Sequence, residues 1–317
     1  MDGPVDGPRL EIFAPGGIGE VTTGADLAAL AAPFVRDGDV LVVTSKVVSK
    51  AEGQVVAVDR EQAIRDETVR VVARRGPTSI VETRLGIVMA AAGVDGSNVE
   101  AGKVVLLPGD PDASARNIRE DLASRAAVNV AVLISDTVGR AWRHGQTDLA
   151  IGVAGIVPLD SFEGRTDSYG NELEVTAPAV ADEIAGVAEV ATGKLGGRPF
   201  TVVRGLADRV LPTGEHGPGA RVLVRETGTD MFGLGSREAV VAALSGQGRE
   251  AFGTPALPGD LVRALSSCGL TAVEKDGQVV VAAESDDLRV AVLSFAHGWL
   301  VDADQSEDSA TVLAPLS

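Results

Sequence analysis

Two oxygen-bearing side chains, Asp136 and Thr137, directly follow the most apolar run of the chain, residues 128–135. Such a run is typical of a buried strand, and in α/β sheets ligands collect where strands end. A carboxylate beside a hydroxyl is a plausible ligand pair for a hard divalent cation. Arg140 and Arg143, three positions apart, could grip a phosphate or a carboxylate. The pattern fits equally well with Asp136 as a helix cap and the arginines as solvated side chains.

A pair of lysines follows a second apolar run. Residues 40–44 predict a buried strand, and Lys46 and Lys50 come shortly after it. Four positions apart on a helix, the two side chains share a face. Two ammonium groups beside a strand end could clamp a polyphosphate, although an ordinary solvated lysine pair has the same spacing.

A third candidate group, Asp95 and Asn98, lies in the run GVDGSN at residues 93–98. The carboxylate could ligate a metal and the amide could contact a ligand, but these residue types are also the ordinary ones of a turn. The polar segment 148–172 is long for a connection between elements. Segments of this kind are either functional or packed on the surface.

Strands and alanine-rich helices must position these groups. Aromatic residues make up only 3% of the 317 residues, so Val, Ala, Leu and Ile must build the core. This composition predicts an α/β, mixed α+β chain of one large domain or two. Besides the two strands above, the pattern predicts helices at 60–75, 113–125, 177–191 and 260–267, strands at 200–203, 278–283 and 288–295, loops over 145–172, and a hairpin turn at Asp276 and Gly277.

Charge and composition exclude several functions. The formal net charge of −17 argues against nucleic acid as a partner, because phosphate binding needs clustered Lys and Arg. The single cysteine and the lack of a secretory leader or a long apolar run predict a soluble cytoplasmic protein without a membrane span. The chain has no Walker A loop, no G-x-G-x-x-G, no G-x-S-x-G and no zinc-type histidine spacing. Any metal is therefore expected to be held by oxygens, as Mg²⁺ or Mn²⁺ would be.

Six strings occur together and in order, and their combination is far more specific than any one alone. They are TSKVVSKAEG (44–53), AAAGVDGSNV (90–99), ISDTVGRAWRHGQTDLAIGVAG (134–155), DSYGNELEVT (167–176), VADEIA (180–185) and VVRG (202–205). With these strings the chain resembles the coenzyme F420-0:L-glutamate ligase family, also called the F420-0:gamma-glutamyl ligases. The similarity is greatest to the N-terminal half of the two-domain actinobacterial members, and it extends over residues 10–244.

The resemblance implies a reaction in coenzyme F420 biosynthesis. GTP would phosphorylate the terminal carboxylate of coenzyme F420-0 or its dehydro form, and L-glutamate would attack the acyl phosphate to form an amide. Further γ-linked glutamates could follow. Because both substrates are anionic, Mg²⁺ or Mn²⁺ would neutralise charge during phosphoryl transfer, and K⁺ is a further candidate cofactor.

The resemblance also assigns roles by matching position. The implied metal ligands are Asp95, Asp136 and Thr137. The implied nucleotide contacts are Ile18, Gly19, Glu20, Val21, Ser45, Lys46, Lys50, Asn98, Gly193 and Lys194. We add Arg140 and Arg143 as anion-binding partners of Asp136 in a catalytic group. Lys194 departs from the archaeal pattern, which can offer an acidic metal ligand there, so the ligands of a second metal stay unassigned.

The family fold is a two-lobed α/β arrangement that forms an intertwined homodimer, and we expect it for residues 1–244. Residues 245–317 are expected to form a linker and a small C-terminal α+β module of unknown role. These 73 residues are too few for the flavin-binding, nitroreductase-like domain of the two-domain relatives, so no flavin is expected. Two rival functions remain: a catalytically silent nucleotide-binding relative, and a generic ATP-dependent carboxylate ligase.

Overall fold

The computed structural model describes Gly7 and residues 9–226, 229–230, 232–306 and 310–316. The chain is mixed α/β, as predicted, with helices and several sheets. It divides into two compact units, the first made of Met1–Arg70 and Gly76–Val224, the second of Val71–Arg75 and Arg225–Ser317. The Gly- and Pro-rich start of the chain predicts a frayed segment over residues 1–8, and these residues lie outside the described ones except for Gly7. Within the described part, no helix has both the length and the apolar character needed to cross a membrane.

The elements up to residue 204 belong to the first unit, apart from the last five residues of β4. The strands are β1 Glu11–Phe13, β2 Val40–Thr44, β3 Val55–Val56, β4 Thr68–Arg75, β5 Thr78–Thr83, β6 Val88–Ala90, β7 Val104–Val105, β8 Ala131–Gly139, β9 Gln146–Ala154, β10 Arg165–Thr166, β11 Glu172–Leu173 and β12 Phe200–Arg204. The helices are α1 Leu27–Ala31, α2 Ser45–Ala51, α3 Arg60–Glu67, α4 Pro111–Ala126 and α5 Val180–Thr192.

A five-stranded sheet with the order β1-β12-β2-β8-β9 forms the centre of the first unit. The pair β2–β8 is parallel, and the other neighbours are antiparallel. Alternate residues of β2 face opposite sides: Leu41 and Val43 pack with α1 and α4, whereas Val40 and Val42 pack with α5. Helices thus cover both faces, which is why the strand is apolar at every position rather than at every second one.

Arg119 of α4 holds the segment that follows β12. Its side chain is only 2% exposed. The guanidinium donates to the carbonyl oxygens of Val130 at 2.8 Å, Glu215 at 2.7 Å and Leu211 at 2.8 Å, and also to Pro212 O and Asn129 Oδ1. Burial lowers the pKa of Arg119, and the negative charges of neighbouring glutamates oppose this shift. These contacts join the segment after β12 to the residue that precedes β8.

Two parts of the first unit differ from the sequence prediction. The helix predicted over 60–75 ends at Glu67, because the β-branched residues from Thr68 onward favour the extended strand β4. The loops predicted over 145–172 were wrong for β9, which is nine residues long and pairs with β8. Gly152 concealed this strand: a Cβ there would lie 2.3 Å from the carbonyl oxygen of Pro111, so only glycine fits.

The second unit has its own core. Its elements after β4 are α6 Ser236–Ser245, α7 Pro258–Ser267, β13 Ala272–Lys275, β14 Gln278–Val281, α8 Leu288–His297, β15 Trp299–Val301 and β16 Thr311–Pro315. The sheet order is β13-β14-β16-β15, all antiparallel. Residues 71–75 belong here, and a Cβ on Gly235 would lie 1.9 Å from the carbonyl oxygen of Val72, so these two backbones touch. The domain boundary predicted after residue 244 stays a prediction; residue 244 lies in α6, and this unit takes up the chain again at Arg225.

Sequence signals in this unit gave mixed results. The hairpin turn at Asp276 and Gly277 is confirmed, with both residues at positive φ between β13 and β14. The strand predicted at 288–295 was wrong, because these residues form α8. Asp287 caps its first turn through the amide of Arg289, and Gly298 ends it in the left-handed conformation.

Candidate functional site

Asp136 and Thr137 lie inside β8 rather than after it. The strand extends to Gly139, four residues beyond the predicted end, so the helix-cap interpretation of Asp136 is wrong. Pairing with β9 shifts at this point: Ile134 lies opposite Gly152, but Ser135 lies opposite Ala150, which leaves Ile151 as an extra residue. The polar half of β8 therefore begins at an irregularity in the sheet.

Ser45 connects Asp136 to the neighbouring strand. It is the first residue of α2, which begins where β2 ends, and β2 runs parallel to β8. The Ser45 hydroxyl donates to Asp136 Oδ1 at 2.5 Å. Burial raises the pKa of Asp136 to about 6, and the Ser45 hydrogen bond opposes that shift. The negative charges of Asp148 and Asp95 raise it further. Burial and the neighbouring carboxylates thus favour the protonated form of Asp136.

Lys46 and Asp95 form the second contact of the site. The Lys46 ammonium lies 2.6 Å from Asp95 Oδ2 and donates to Ser97 Oγ at 2.7 Å. The Ser97 amide donates to Asp95 Oδ1 at 2.7 Å, which makes the local turn. Burial alone would raise the pKa of Asp95, but the hydrogen bonds from Lys46 and Ser97 outweigh it and the pKa is lowered. This contact therefore joins the lysine pair to the group of Asp95 and Asn98.

Lys50 pairs with Glu20 of the segment before α1. Its ammonium lies 2.5 Å from Glu20 Oε1, and the lysine is buried whereas the glutamate is largely exposed. Both were assigned to the nucleotide, and the structure brings them together. Gly19 is exposed, but Val21 is a core residue and Ile18 packs against the same core. The nucleotide contacts of these residues stay predictions.

Asp148 is a site residue that the sequence analysis did not single out. It lies on β9 opposite Thr137 and is only 4% exposed. Its carboxylate accepts from Thr137 Oγ1 at 2.7 Å and from Ser135 Oγ at 2.9 Å. The available signal is an aspartate at the start of the apolar residues 149–151, and the predicted loop over 145–172 concealed it.

Lys194 also contacts Thr137. Its ammonium donates to Thr137 Oγ1 at 2.8 Å and lies 2.7 Å from Glu189 Oε1 of α5. Gly193 ends α5 at a φ of 63°, which places Lys194 beyond the helix. The amino group of Lys194 thus lies at one of the proposed metal ligands.

Comparison with known proteins agrees with the six sequence strings. A family model described as F420-0:Gamma-glutamyl ligase matches residues 59–205. The chain is 40% identical to the coenzyme F420:L-glutamate ligase of Archaeoglobus fulgidus over 221 residues, 62% of this chain and 88% of that relative. It is 38% identical to the protein of the same name from Methanopyrus kandleri over 236 residues, 67% of this chain and 93% of the relative.

This chain belongs to the F420-0:gamma-glutamyl ligase family. The resemblance found in the sequence is therefore confirmed, and the matched residues 59–205 include Asp95, Asp136, Thr137, Asp148 and Lys194. The closer likeness to the two-domain actinobacterial members stays a prediction.

Arg140, Arg143 and Asn98 of this F420-0:gamma-glutamyl ligase-family chain are exposed. Arg140 and Arg143 lie in the turn between β8 and β9, where Arg140 donates to the carbonyl oxygen of His144 at 2.7 Å. Asn98 is exposed in the left-handed conformation at φ 57°. Their contacts with anions and nucleotide stay predictions.

The side-chain oxygens at this site fit a divalent cation that is only partly enclosed by protein. Within the described ranges, no three His, Cys, Asp or Glu side chains are grouped so as to hold a metal. Asp95, Asp136 and Thr137 nevertheless offer hard oxygens to a cation. Mg²⁺ is commonly held by one or two carboxylates, water and substrate phosphates rather than by a protein cage.

Without metal, the free energy of unfolding of this family member should depend on the protonation of Asp136. Because the folded state binds the Asp136 proton more tightly than the unfolded state, its contribution to the unfolding free energy is present below pH 4 and is lost as pH rises to about 6. In EDTA, Asp136→Asn should therefore gain about 1–2 kcal/mol over wild type between pH 4.5 and 7.5. Urea unfolding at both pH values measures this gain, and parallel pH profiles for the two proteins would contradict it.

Proposed function

We propose that the protein is a GTP- and divalent-metal-dependent ligase that adds L-glutamate to coenzyme F420-0 or its dehydro form. The relatives named above are coenzyme F420:L-glutamate ligases, which supports the glutamate ligation. The observation that carries the proposal is the cluster in which Ser45, Lys46, Asp95 and Asp136 converge beside β8. The cluster places two carboxylates that could hold a cation beside the Lys46 ammonium, which could hold a phosphate.

The proposed chemistry assigns separate tasks to these residues. Asp95, Asp136 and Thr137 would hold a divalent metal, which supplies charge neutralisation at the phosphate oxygens. Lys46 and Lys50 would bind and orient the phosphate chain, since both lie on α2 at the end of β2. K⁺ is a further candidate at the anionic site.

The reaction we propose has two steps. A carboxylate oxygen of the coenzyme precursor attacks the γ-phosphorus of GTP, the bond to the β-phosphate oxygen breaks, and GDP leaves. The glutamate amino group then attacks the acyl carbon, loses a proton and releases phosphate, so that an amide forms. Phosphorylation is needed because an amine cannot displace an oxide ion from a carboxylate, whereas phosphate is a good leaving group. Repetition of both steps would add further γ-linked glutamates.

We also propose that the protein is a homodimer in the cytoplasm. Several large apolar side chains on the first unit are more than four fifths exposed, and a second copy of the chain could cover them. They are Trp142, Tyr169, Val175, Val190 and Leu195. The two-lobed, intertwined arrangement of the family and a domain boundary near residue 244, with a C-terminal module that binds no flavin, belong to the same proposal.

Mass spectrometry of the coenzyme tests the proposal directly. Full-length protein incubated with coenzyme F420-0, GTP, L-glutamate and Mg²⁺ or Mn²⁺ should yield products heavier by one or more glutamyl residues. Omission of GTP or addition of EDTA should prevent the increment. Equal products with ATP would favour a generic ATP-dependent ligase, and no increment from folded protein would favour a silent relative.

A further inference from the structure

The hydroxyl of Thr137 has a fixed direction. The Lys194 ammonium can only donate, so Thr137 Oγ1 must accept its hydrogen bond at 2.8 Å. The single hydroxyl proton is then left for Asp148 Oδ1, 2.7 Å away. Asp148 is itself buried and held by Ser135 Oγ. A lone pair of Thr137 therefore points at a positive group.

This direction is the one that a hydroxyl needs as a metal ligand, because a cation is bound through the oxygen lone pair. Thr137 does not have to rotate when an ammonium is exchanged for a metal ion, since Asp148 keeps the hydroxyl proton on the other side. Asp148 thus acts as a positioning residue for Thr137.

Asp95 contacts a lysine ammonium, as Thr137 does. The Lys46 ammonium lies 2.6 Å from Asp95 Oδ2, just as the Lys194 ammonium covers Thr137 Oγ1. Two candidate metal ligands thus each carry one lysine. Release of the Lys194 ammonium as a divalent cation enters limits the rise in local charge to one unit, which favours exchange over simple addition of charge.

Lys194 is weakly held and can leave. Its side chain is 60% exposed, and its other partner is Glu189 Oε1 at 2.7 Å. An ion pair with this much exposure contributes little to stability, because water screens it. The contact with Glu189 keeps the ammonium close to Thr137 without burying it.

We propose that Lys194 is an internal cation that occupies the position at Thr137 in the nucleotide-free protein and competes with the divalent metal for that oxygen. The inference rests on the proposed function, in which Thr137 is a metal ligand. Entry of the metal releases the Lys194 ammonium, which then becomes available to the phosphates of the nucleotide. Lys194 therefore tunes the metal affinity of the resting protein.

Manganese titration of the full-length protein without nucleotide tests this competition. The electron paramagnetic resonance signal of free Mn²⁺ gives the dissociation constant for wild type, Lys194→Met, Lys194→Arg and Lys103→Met. Lys194→Met should bind Mn²⁺ about fivefold more tightly, the change expected from loss of one partly exposed ion pair. Lys194→Arg keeps the charge, and Lys103 is a partly exposed lysine paired with Glu100, so both controls should stay within about twofold of wild type.

Several outcomes would overturn the inference. They are equal Mn²⁺ affinity in wild type and Lys194→Met, weaker binding by the variant, and absence of Mn²⁺ binding in every protein. Should Lys194→Met fail to fold by circular dichroism, Lys194→Gln provides the same comparison. The glutamate assay separates the two failures: an active wild type with unchanged Lys194→Met affinity overturns only this inference, whereas a folded but inactive wild type overturns the proposed function.

Discussion

Asp136→Asn is expected to lower kcat/KM for glutamate addition by about 10³-fold while the chain remains folded. The substitution keeps the shape of the side chain, and an amide oxygen can still accept the Ser45 hydrogen bond at the same place. It removes the negative charge that we propose holds the metal against the phosphates. Mass spectrometry of the coenzyme and measurement of GDP release give the rate.

The matched control for this prediction is Asp121→Asn. Asp121 lies on the exposed side of α4, 3.1 Å from Arg125, and its substitution makes the same chemical change away from β8. It should leave kcat/KM within about twofold of wild type, as surface substitutions usually do. Near-normal turnover in Asp136→Asn would remove Asp136 from the proposed metal ligands.

Arg119→Met should reduce the free energy of unfolding by about 3–5 kcal/mol. The methionine matches much of the arginine stem but leaves the carbonyl oxygens of Val130, Leu211 and Glu215 without their buried donor. Arg119 also packs closely against Gly155, where a Cβ would lie 2.3 Å from Arg119 Nε. Urea unfolding followed by circular dichroism measures the loss.

Arg116→Met is the control for the stability prediction. Arg116 is exposed on the same helix, so its replacement changes net charge and helix composition equally without opening the core. We expect a change within about 0.5 kcal/mol. A similarly small change for Arg119→Met would show that water replaces the guanidinium at no cost.

The strongly patterned elements of the fold could be predicted from the sequence. β2 was predicted at its observed bounds, because buried β-branched runs have few alternatives. β9 and α8 were missed for physical reasons that lie outside the local pattern. Gly152 in β9 meets Pro111 from another element, and the alternating apolar residues of α8 fit a strand until Asp287 and Gly298 are seen as its caps.

The candidate site was recovered in part. Ser45, Lys46, Asp95 and Asp136 were named from their residue types and family strings, and the structure places them in contact. Asp148 could not be found in this way, because its relation to Thr137 depends on the pairing of two strands. Register between strands is a property of the folded sheet, and a one-residue shift would send the side chain to the other face.

The second unit is built from two separate stretches of the chain, which matters for recombination of its gene. Because Val71–Arg75 belongs to it and Val72 touches Gly235, its residues are encoded in two places separated by most of the first unit. A single crossover near residue 225 would transfer one part and leave the other behind, within the strand Thr68–Arg75. Swapping or deleting the C-terminal part alone would leave Val71–Arg75 without the backbone against which Val72 packs.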